Sequence, residues 1–292
     1  MYLWPWEPSS ASWKAERTTL NSYNSTMELY ASGFNAWGQL YFDGTVNEAE
    51  NAPDLRQFVP VLKASTIDNV QAFLSYTTVR SASGAVKQFE SFKDLLNNFP
   101  GRGFPELQTC RQVVAYDAGF AALTTTGAVY TWGDERYGAC LGREITGDSP
   151  AEKPSRVKAL EDLPTGPISK IAAGGYMLAA LTSGNDLYLW GGHPGRKTVP
   201  TDIGDEPSPI VIEDHDIADV AVGDSHLAVL TTSGKVYVIG DNTNGQLGSP
   251  VKEFETWTPI DLGFLKCKRI AGIAAGPRNT FITVASGASS YG

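Results

Sequence analysis

Residues 217–250 read IADVAVGDSHLAVLTTSGKVYVIGDNTNGQLGSP, and this stretch decides the fold. An alternating run from His226 to Thr231 is followed by Thr232-Ser233-Gly234 and a second run from Val236 to Ile239. Valine, isoleucine and tyrosine suit a pleated, buried surface, and glycine suits the positive φ of a tight turn. The pattern predicts two strands joined as a hairpin. Gly240 then opens a loop that closes on Gly245-Gln246-Leu247-Gly248.

The stretch repeats. Without gaps, His226–Gly240 lies over Gly119–Gly133, GFAALTTTGAVYTWG, with Leu, Thr, Gly, Tyr and the closing Gly in common. Residues 171–191, IAAGGYMLAALTSGNDLYLWG, are a further copy. Residues 70–90 are an eroded one that keeps Gly84 and Val86 but ends in Glu90. The last copy is divided. IAGIAAGPRNTFIT (270–283) has only the first half, and LYASGFNAWGQL (29–40) supplies the second. Neither half buries its face alone, so the first and last strands are expected to pair and close a ring, which removes exposed edges.

The closing positions Gly33, Glu90, Gly133, Gly191 and Gly240 recur about every 50 residues, the length of a four-stranded propeller blade. Proline-flanked apolar segments at 60–62, 154–160, 209–212 and 259–262 are expected to add the outer strand of each blade. The reading is an all-β propeller of about five blades, formed by residues 27–292 as a single domain. Residues 1–26 precede the pattern as an N-terminal extension carrying Trp4, Trp6 and Trp13. SFKDLLNNF (91–99), ended by Pro100-Gly101, reads as a short helical insertion.

The spaced signature Gly-x-x-His-x-x-x-Leu-Thr, Gly-x-Val-Tyr-x-Trp-Gly and Asn-x-x-Gly-Gln-Leu-Gly resembles the repeat of the regulator of chromosome condensation family. GDSHLAVLTTSGKVYVIGDNTNGQLG, GAVYTWGDERYGACLG and SGFNAWGQL carry the resemblance, which covers residues 28–285. It implies a β-propeller with a terminal clasp and a protein partner, either a small GTPase or a subunit of a modification enzyme. Small fungal members that hold partners in tRNA or histone modification are the nearest in kind. The alternative it implies is guanine-nucleotide exchange on a Ran-type GTPase. The plant ultraviolet receptor shares the fold and senses light through clustered tryptophans; here Trp132 and Trp190 occupy the repeat's own Trp-Gly position, where packing explains them. The chain departs from the family in repeat number, five against roughly seven, and in lacking a basic tail.

Composition narrows the function. A formal net charge of −9 over 292 residues repels a phosphate backbone, and no Lys/Arg run offsets it, so direct nucleic-acid binding is not expected. No window approaches the ~20 apolar residues of a membrane span. Cys110, Cys140 and Cys267 form no disulfide or metal spacing, in keeping with reduced thiols in the cytoplasm or nucleus. His226 occupies a repeat position and reads as structural, His215 lies in an acidic loop (Glu213–Asp216), and no hydrolase elbow, P-loop or zinc motif is present. No catalytic residue, metal or cofactor is expected.

That leaves the loops after the closing glycines, which differ most between repeats and project on one face. Trp37, Arg136, Tyr137, His193, Arg196, Asn242 and Asn244 lie on them. Trp, Tyr and Arg are the side chains that dominate interface energetics. These seven are the expected partner-binding residues of a non-catalytic interaction scaffold.

Overall fold

The computed structural model describes residues 27–33, 54–64, 77–80, 86–89, 102–195, 200–201, 203–265 and 268–285. Strands β1 (Met27–Gly33) and β2 (Leu55–Ala64) are followed by β3 (Thr77–Arg80), β4 (Val86–Phe89) and β5 (Arg102–Gly103). Next come β6 (Cys110–Tyr116), β7 (Gly119–Thr124), β8 (Val129–Gly133) and β9 (Ser155–Arg156). The following set is β10 (Ile168–Gly174), β11 (Met177–Thr182), β12 (Leu187–Gly191) and β13 (Ser208–Ile210). The last are β14 (Ile217–Val222), β15 (His226–Thr231), β16 (Val236–Asp241), β17 (Glu253–Pro259), β18 (Arg269–Gly276) and β19 (Asn279–Ala285).

They form five antiparallel sheets: β18-β19-β1-β2, β3-β4-β5, β6-β7-β8-β9, β10-β11-β12-β13 and β14-β15-β16-β17. This is the propeller read from the repeats, one sheet per blade. The divided repeat is joined as expected, with β1 lying antiparallel to β19 and Met27 opposite Ala285. Among the described residues no helix is long and apolar enough to cross a membrane. The extension 1–26 and the insertion 91–99 lie outside the described residues.

Three of the second strands are buried at every position: GFAALT in β7, MLAALT in β11 and HLAVLT in β15. Each stands mid-blade with a neighbouring blade on either side, so both faces are covered. The core is therefore a set of layers between blades. Leu123, Ile171, Leu178 and Trp190 share one layer, Leu181, Leu189, Val220 and Val229 the next, and Val238, Leu247, Ile273 and Ile282 a third. Trp132 packs with Phe104 and Phe120 at ring separations of 5.1 and 5.4 Å. Both repeat tryptophans are thus core residues.

The innermost strands hold the blades to one another. β6 faces β10, β10 faces β14, and β14 faces β18. In each, the register with the second strand slips at the same place: between Cys110 and Gln112, Ile168 and Lys170, Ile217 and Asp219, and Ile270 and Gly272. Such a bulge re-aims the side chain that follows it. In β6, β10 and β14 that side chain reaches a neighbouring blade. Gln112 donates Nε2 to the Ile171 carbonyl at 2.7 Å and accepts from the Ile171 amide at 3.0 Å. Lys170 pairs with Asp219. Asp219 also accepts from the Ile273 amide at 2.9 Å, so it ties three successive blades.

The closing glycines have a steric cause. Gly240 has φ +114 and stands opposite His226, and a Cβ there would lie 2.3 Å from the Ser225 carbonyl oxygen. Only glycine permits that approach and that φ.

The expected outer strand at 60–62 lies within β2, at the edge of its sheet, while the other outer strands differ from the expectation. Of the segment 259–262 only Pro259 is strand, as the last residue of β17, where its missing N–H suits a strand end. The segment 154–160 contributes only the two residues of β9 before a 3₁₀ turn at Lys158–Leu160. β13 stops at Ile210, short of the expected 212.

Two outcomes test the inter-blade bonds. Asp219→Ala strands the Ile273 amide and the Lys170 ammonium, so chemical denaturation should show a loss of about 2–4 kcal/mol. Asp219→Asn keeps an acceptor for Ile273 and should lose less. His226 is wholly buried, with Nε2 2.9 Å from Thr280 Oγ1 of the adjoining blade. Burial pushes its pKa down to about 4 from 6.5. The unfolded chain then binds the proton first as pH falls, so stability is fully present above pH 6.5. It drops by roughly 3 kcal/mol as pH falls toward 4. His226→Gln should remove that part of the acid loss in denaturation midpoints measured across this window.

Candidate partner-binding site

The turns between first and second strands and the loops after third strands leave the same end of each blade, because Gly119 stands opposite Gly133 and His226 opposite Gly240. Two adjacent blades build a cleft there.

The first wall is the loop after β8. Asp134 caps a short 3₁₀ segment, Glu135–Leu141, by accepting from the Arg136 amide at 3.0 Å. Its carboxylate also takes both Nε and Nη2 of Arg136, at 3.0 and 2.5 Å. Those hydrogen bonds hold the Asp134 carboxyl below the usual carboxylate range. The Arg136 side chain is 79% exposed. Tyr137 breaks the 3₁₀ geometry with φ −116 and ψ 45. Cys140 and Leu141 turn inward, and Gly142 closes the segment in the left-handed conformation, with φ +64.

That ending clamps the loop to the next blade. The Trp190 indole N–H donates to the Cys140 carbonyl at 3.1 Å, and a Cβ on Gly142 would lie 2.6 Å from the same indole nitrogen. The Cys140 thiol donates to the Tyr176 carbonyl at 3.3 Å, and burial pushes its pKa up to about 11. It is a packed, protonated thiol, unsuited to nucleophilic work.

The second wall comes from the loop after β12, which the turn Gly175-Tyr176 supports. Gly192 donates its amide to the Tyr176 carbonyl at 2.8 Å. The rings of Tyr137, Tyr176 and His193 gather into one cluster: 4.9 Å between the tyrosines, 5.4 Å from Tyr137 to His193, and 4.6 Å edge-on from Tyr176 to His193. The Arg136 guanidinium lies 5.8 Å over the Tyr137 ring. Beside the cluster the loops enclose an open cleft of about 350 Å³, lined by Arg136, Tyr137 and His193 together with Gly138, Gly192 and Asp205.

Of the residues expected to contact a partner, Arg136, Tyr137 and His193 are brought together here. Trp37 and Arg196 lie outside the described residues. Asn242 and Asn244 belong to the loop after β16, which is not part of the cleft, and their side chains are spent internally. Asn242 is buried, donates to the Ser249 carbonyl at 2.7 Å and to the Val251 carbonyl, and accepts from the Leu247 amide at 2.7 Å. Asn244 donates to Asp54 at 2.9 Å. For Asn242, the expectation of a partner contact is corrected: a buried side chain with its polar atoms engaged has none to offer. Asn244 likewise braces its loop against a neighbouring blade. Tyr176 is the cluster residue that sequence reading missed. Its signal was the departure from the repeat, Tyr-Met where the opening stretch has Ser225-His226. Among the described residues no three His, Cys, Asp or Glu side chains gather as a metal-ligand set.

Comparison with known proteins agrees with this architecture. The model of the regulator of chromosome condensation (RCC1) repeat matches residues 126–181 and 233–283, and a second model of that repeat matches 217–246. The mitochondrial RCC1 domain-containing protein RUG3 of Arabidopsis thaliana is 34% identical over 163 residues, covering 53% of this chain and 36% of its own. The probable E3 ubiquitin-protein ligase HERC3 of Homo sapiens is 30% identical over 188 residues, covering 63% and 17%. The regulator of chromosome condensation of Drosophila melanogaster is 35% identical over 130 residues, covering 43% and 22%. The chain therefore spans 36% or less of the length of these relatives. Human WBSCR16 superposes with a TM-score of 0.56 at 17% identity, covering 88% of this chain and 67% of that one. Prp20p of Saccharomyces cerevisiae superposes with 0.56 at 18% identity, covering 84% and 60%. In repeat, register and fold alike, the chain is a β-propeller that carries repeats of the regulator of chromosome condensation type.

Proposed function

We propose that this propeller is a non-catalytic interaction module that binds another protein through the loop face centred on Arg136, Tyr137, Tyr176 and His193. The observation that carries the reading is the exposed arginine set over a three-ring cluster at the edge of a cleft. Aromatic and arginine side chains clustered around a recess are the usual anchors of an interface. The Trp190–Cys140 bond and the buried Leu141 hold the loop in place before binding, so less entropy is lost on association. Trp37 and Arg196, which follow closing glycines in the sequence, are proposed to extend this surface. We place the protein in the cytoplasm or nucleus; a mitochondrial relative makes the mitochondrion the competing compartment.

A second reading is exchange of guanine nucleotide on a Ran-type small GTPase. It is favoured by the shared fold with Prp20p, a protein described by its binding to Gsp1p and histones.

Capture from native extract tests the first reading. Arg136→Glu and Tyr137→Ala should each reduce the retained partner at least tenfold, with an unchanged melting temperature for Arg136→Glu. A partner retained equally by both variants overturns the proposed surface. Nucleotide release from a Ran-type GTPase tests the second. The interaction reading expects a rate within twofold of the spontaneous one, and a tenfold or greater acceleration replaces it with the exchange reading.

A further inference from the structure

We propose that Ser149 is a phosphorylation site, and that Arg143 holds the phosphate it receives. The inference is independent of the partner-binding reading.

Arg143 directly follows Gly142, and its guanidinium lies among the carbonyls of the loop that leads to β9. Nη1 donates to the Ser149 carbonyl and to Ser149 Oγ, each at 2.8 Å. Nη2 donates to the Pro150 carbonyl at 3.0 Å and to the Thr131 and Lys153 carbonyls at 3.2 Å. Nε is buried without a hydrogen-bond partner. Among the described residues no carboxylate stands within ion-pair distance of this cation. Burial pushes its pKa down. Carbonyl dipoles satisfy N–H groups but bring no opposite charge, so a half-buried guanidinium is left without a counter-ion.

Ser149 is where that charge can be supplied. Its hydroxyl oxygen already rests on the guanidinium. A phosphoryl group on that oxygen brings close to two negative charges and three acceptor oxygens, and beside an arginine it forms charge-assisted hydrogen bonds. A second arginine approaches the same loop, where Arg102 donates Nη2 to the Glu152 carbonyl at 3.2 Å. The nearby Asp148 and Glu152 are exposed, where solvent and salt weaken their repulsion.

Sequence and exposure suit a protein kinase that takes proline after its acceptor. Four Ser/Thr-Pro pairs occur: Ser149-Pro150, Ser208-Pro209, Ser249-Pro250 and Thr258-Pro259. Ser208 and Thr258 are committed to β13 and β17, and Ser249 Oγ accepts from the Val251 amide at 3.4 Å. Of the four, Ser149 sets its hydroxyl against a cation. Residues 142–154 form neither strand nor helix, and Thr146, Gly147 and Asp148 are exposed, so the segment can be drawn into a kinase cleft without opening a sheet. In the transfer, Ser149 Oγ bonds to the γ-phosphorus of ATP and the bond from that phosphorus to the bridging oxygen breaks. The hydroxyl proton passes to the kinase's base, and ADP leaves.

Two measurements on the full chain test the proposal. Treatment with a proline-directed kinase and Mg-ATP, followed by peptide mass mapping, should place phosphate on Ser149, and Ser149→Ala should remove it. Phosphate found on the other three pairs and not on Ser149 overturns the site. Phosphoserine installed at 149 during synthesis should raise the melting temperature by about 2 °C or more over the unmodified chain. Its phosphorus NMR titration midpoint should fall below the usual value of about 6. Arg143→Lys, which keeps the charge but loses the fork, should shrink the melting shift at least by half. An unchanged or lower melting temperature with a midpoint at or above about 6 overturns the pairing with Arg143.

Discussion

A hydrogen-bonded sheet is satisfied within itself, so nothing in a blade's own ladder says where the next blade should stand. In this propeller that information comes from one repeated defect. Each first strand from β6 onward carries a bulge, and in β6, β10 and β14 the side chain after it leaves its own sheet to meet another. Gln112 does so with both of its polar ends on the Ile171 backbone. Asp219 does so with a carboxylate shared between a lysine on one side and an amide on the other. Apolar layers supply most of the attraction between blades, but they are non-directional. Angle and register between blades follow from these few polar contacts.

The candidate site inherits that order. Its two walls belong to different blades, so the ring cluster exists only because the blades are held in one relative position. The clamp between Trp190 and the Cys140 carbonyl spans the same boundary. An equivalent contact recurs two blade boundaries on, where Ser32 donates to the Gln246 carbonyl at 3.3 Å. The propeller thus uses one joint twice. Beside one joint it adds Tyr137, Tyr176 and His193; beside the other it adds the internally bonded Asn242 and Asn244.

The fold was legible because its rules are local and repeated. Alternation in HLAVLT, the hairpin glycine and the closing glycine each have a steric or packing cause that recurs at fixed spacing, so comparison of the chain with itself exposed them. The divided repeat was legible for the same reason. Apart from β2, the outer strands were not, because they are half-exposed, and proline marks where such a strand ends as readily as where it lies. The site was half legible. Arg136, Tyr137 and His193 stood out as unusual side chains in variable loops. Asn242 stood out equally, yet its polar groups serve its own loop, and only the partners of its atoms distinguish the two cases. Tyr176 was hidden because it sits in a turn that the repeat marks as structural.

The pairing of β1 with β19 bears on how the chain reaches this state. Met27 and Ala285 are neighbours in space and lie at opposite ends of the described chain. Every other sheet joins strands close in sequence, and those local contacts form early. The sheet containing β1 and β19 closes the longest loop in the molecule and has to wait for its last strand. Until then β1 has one edge unpaired, and such edges invite pairing with other chains. The joint that makes the finished ring rigid is therefore the slowest to form and the one most exposed to error during folding.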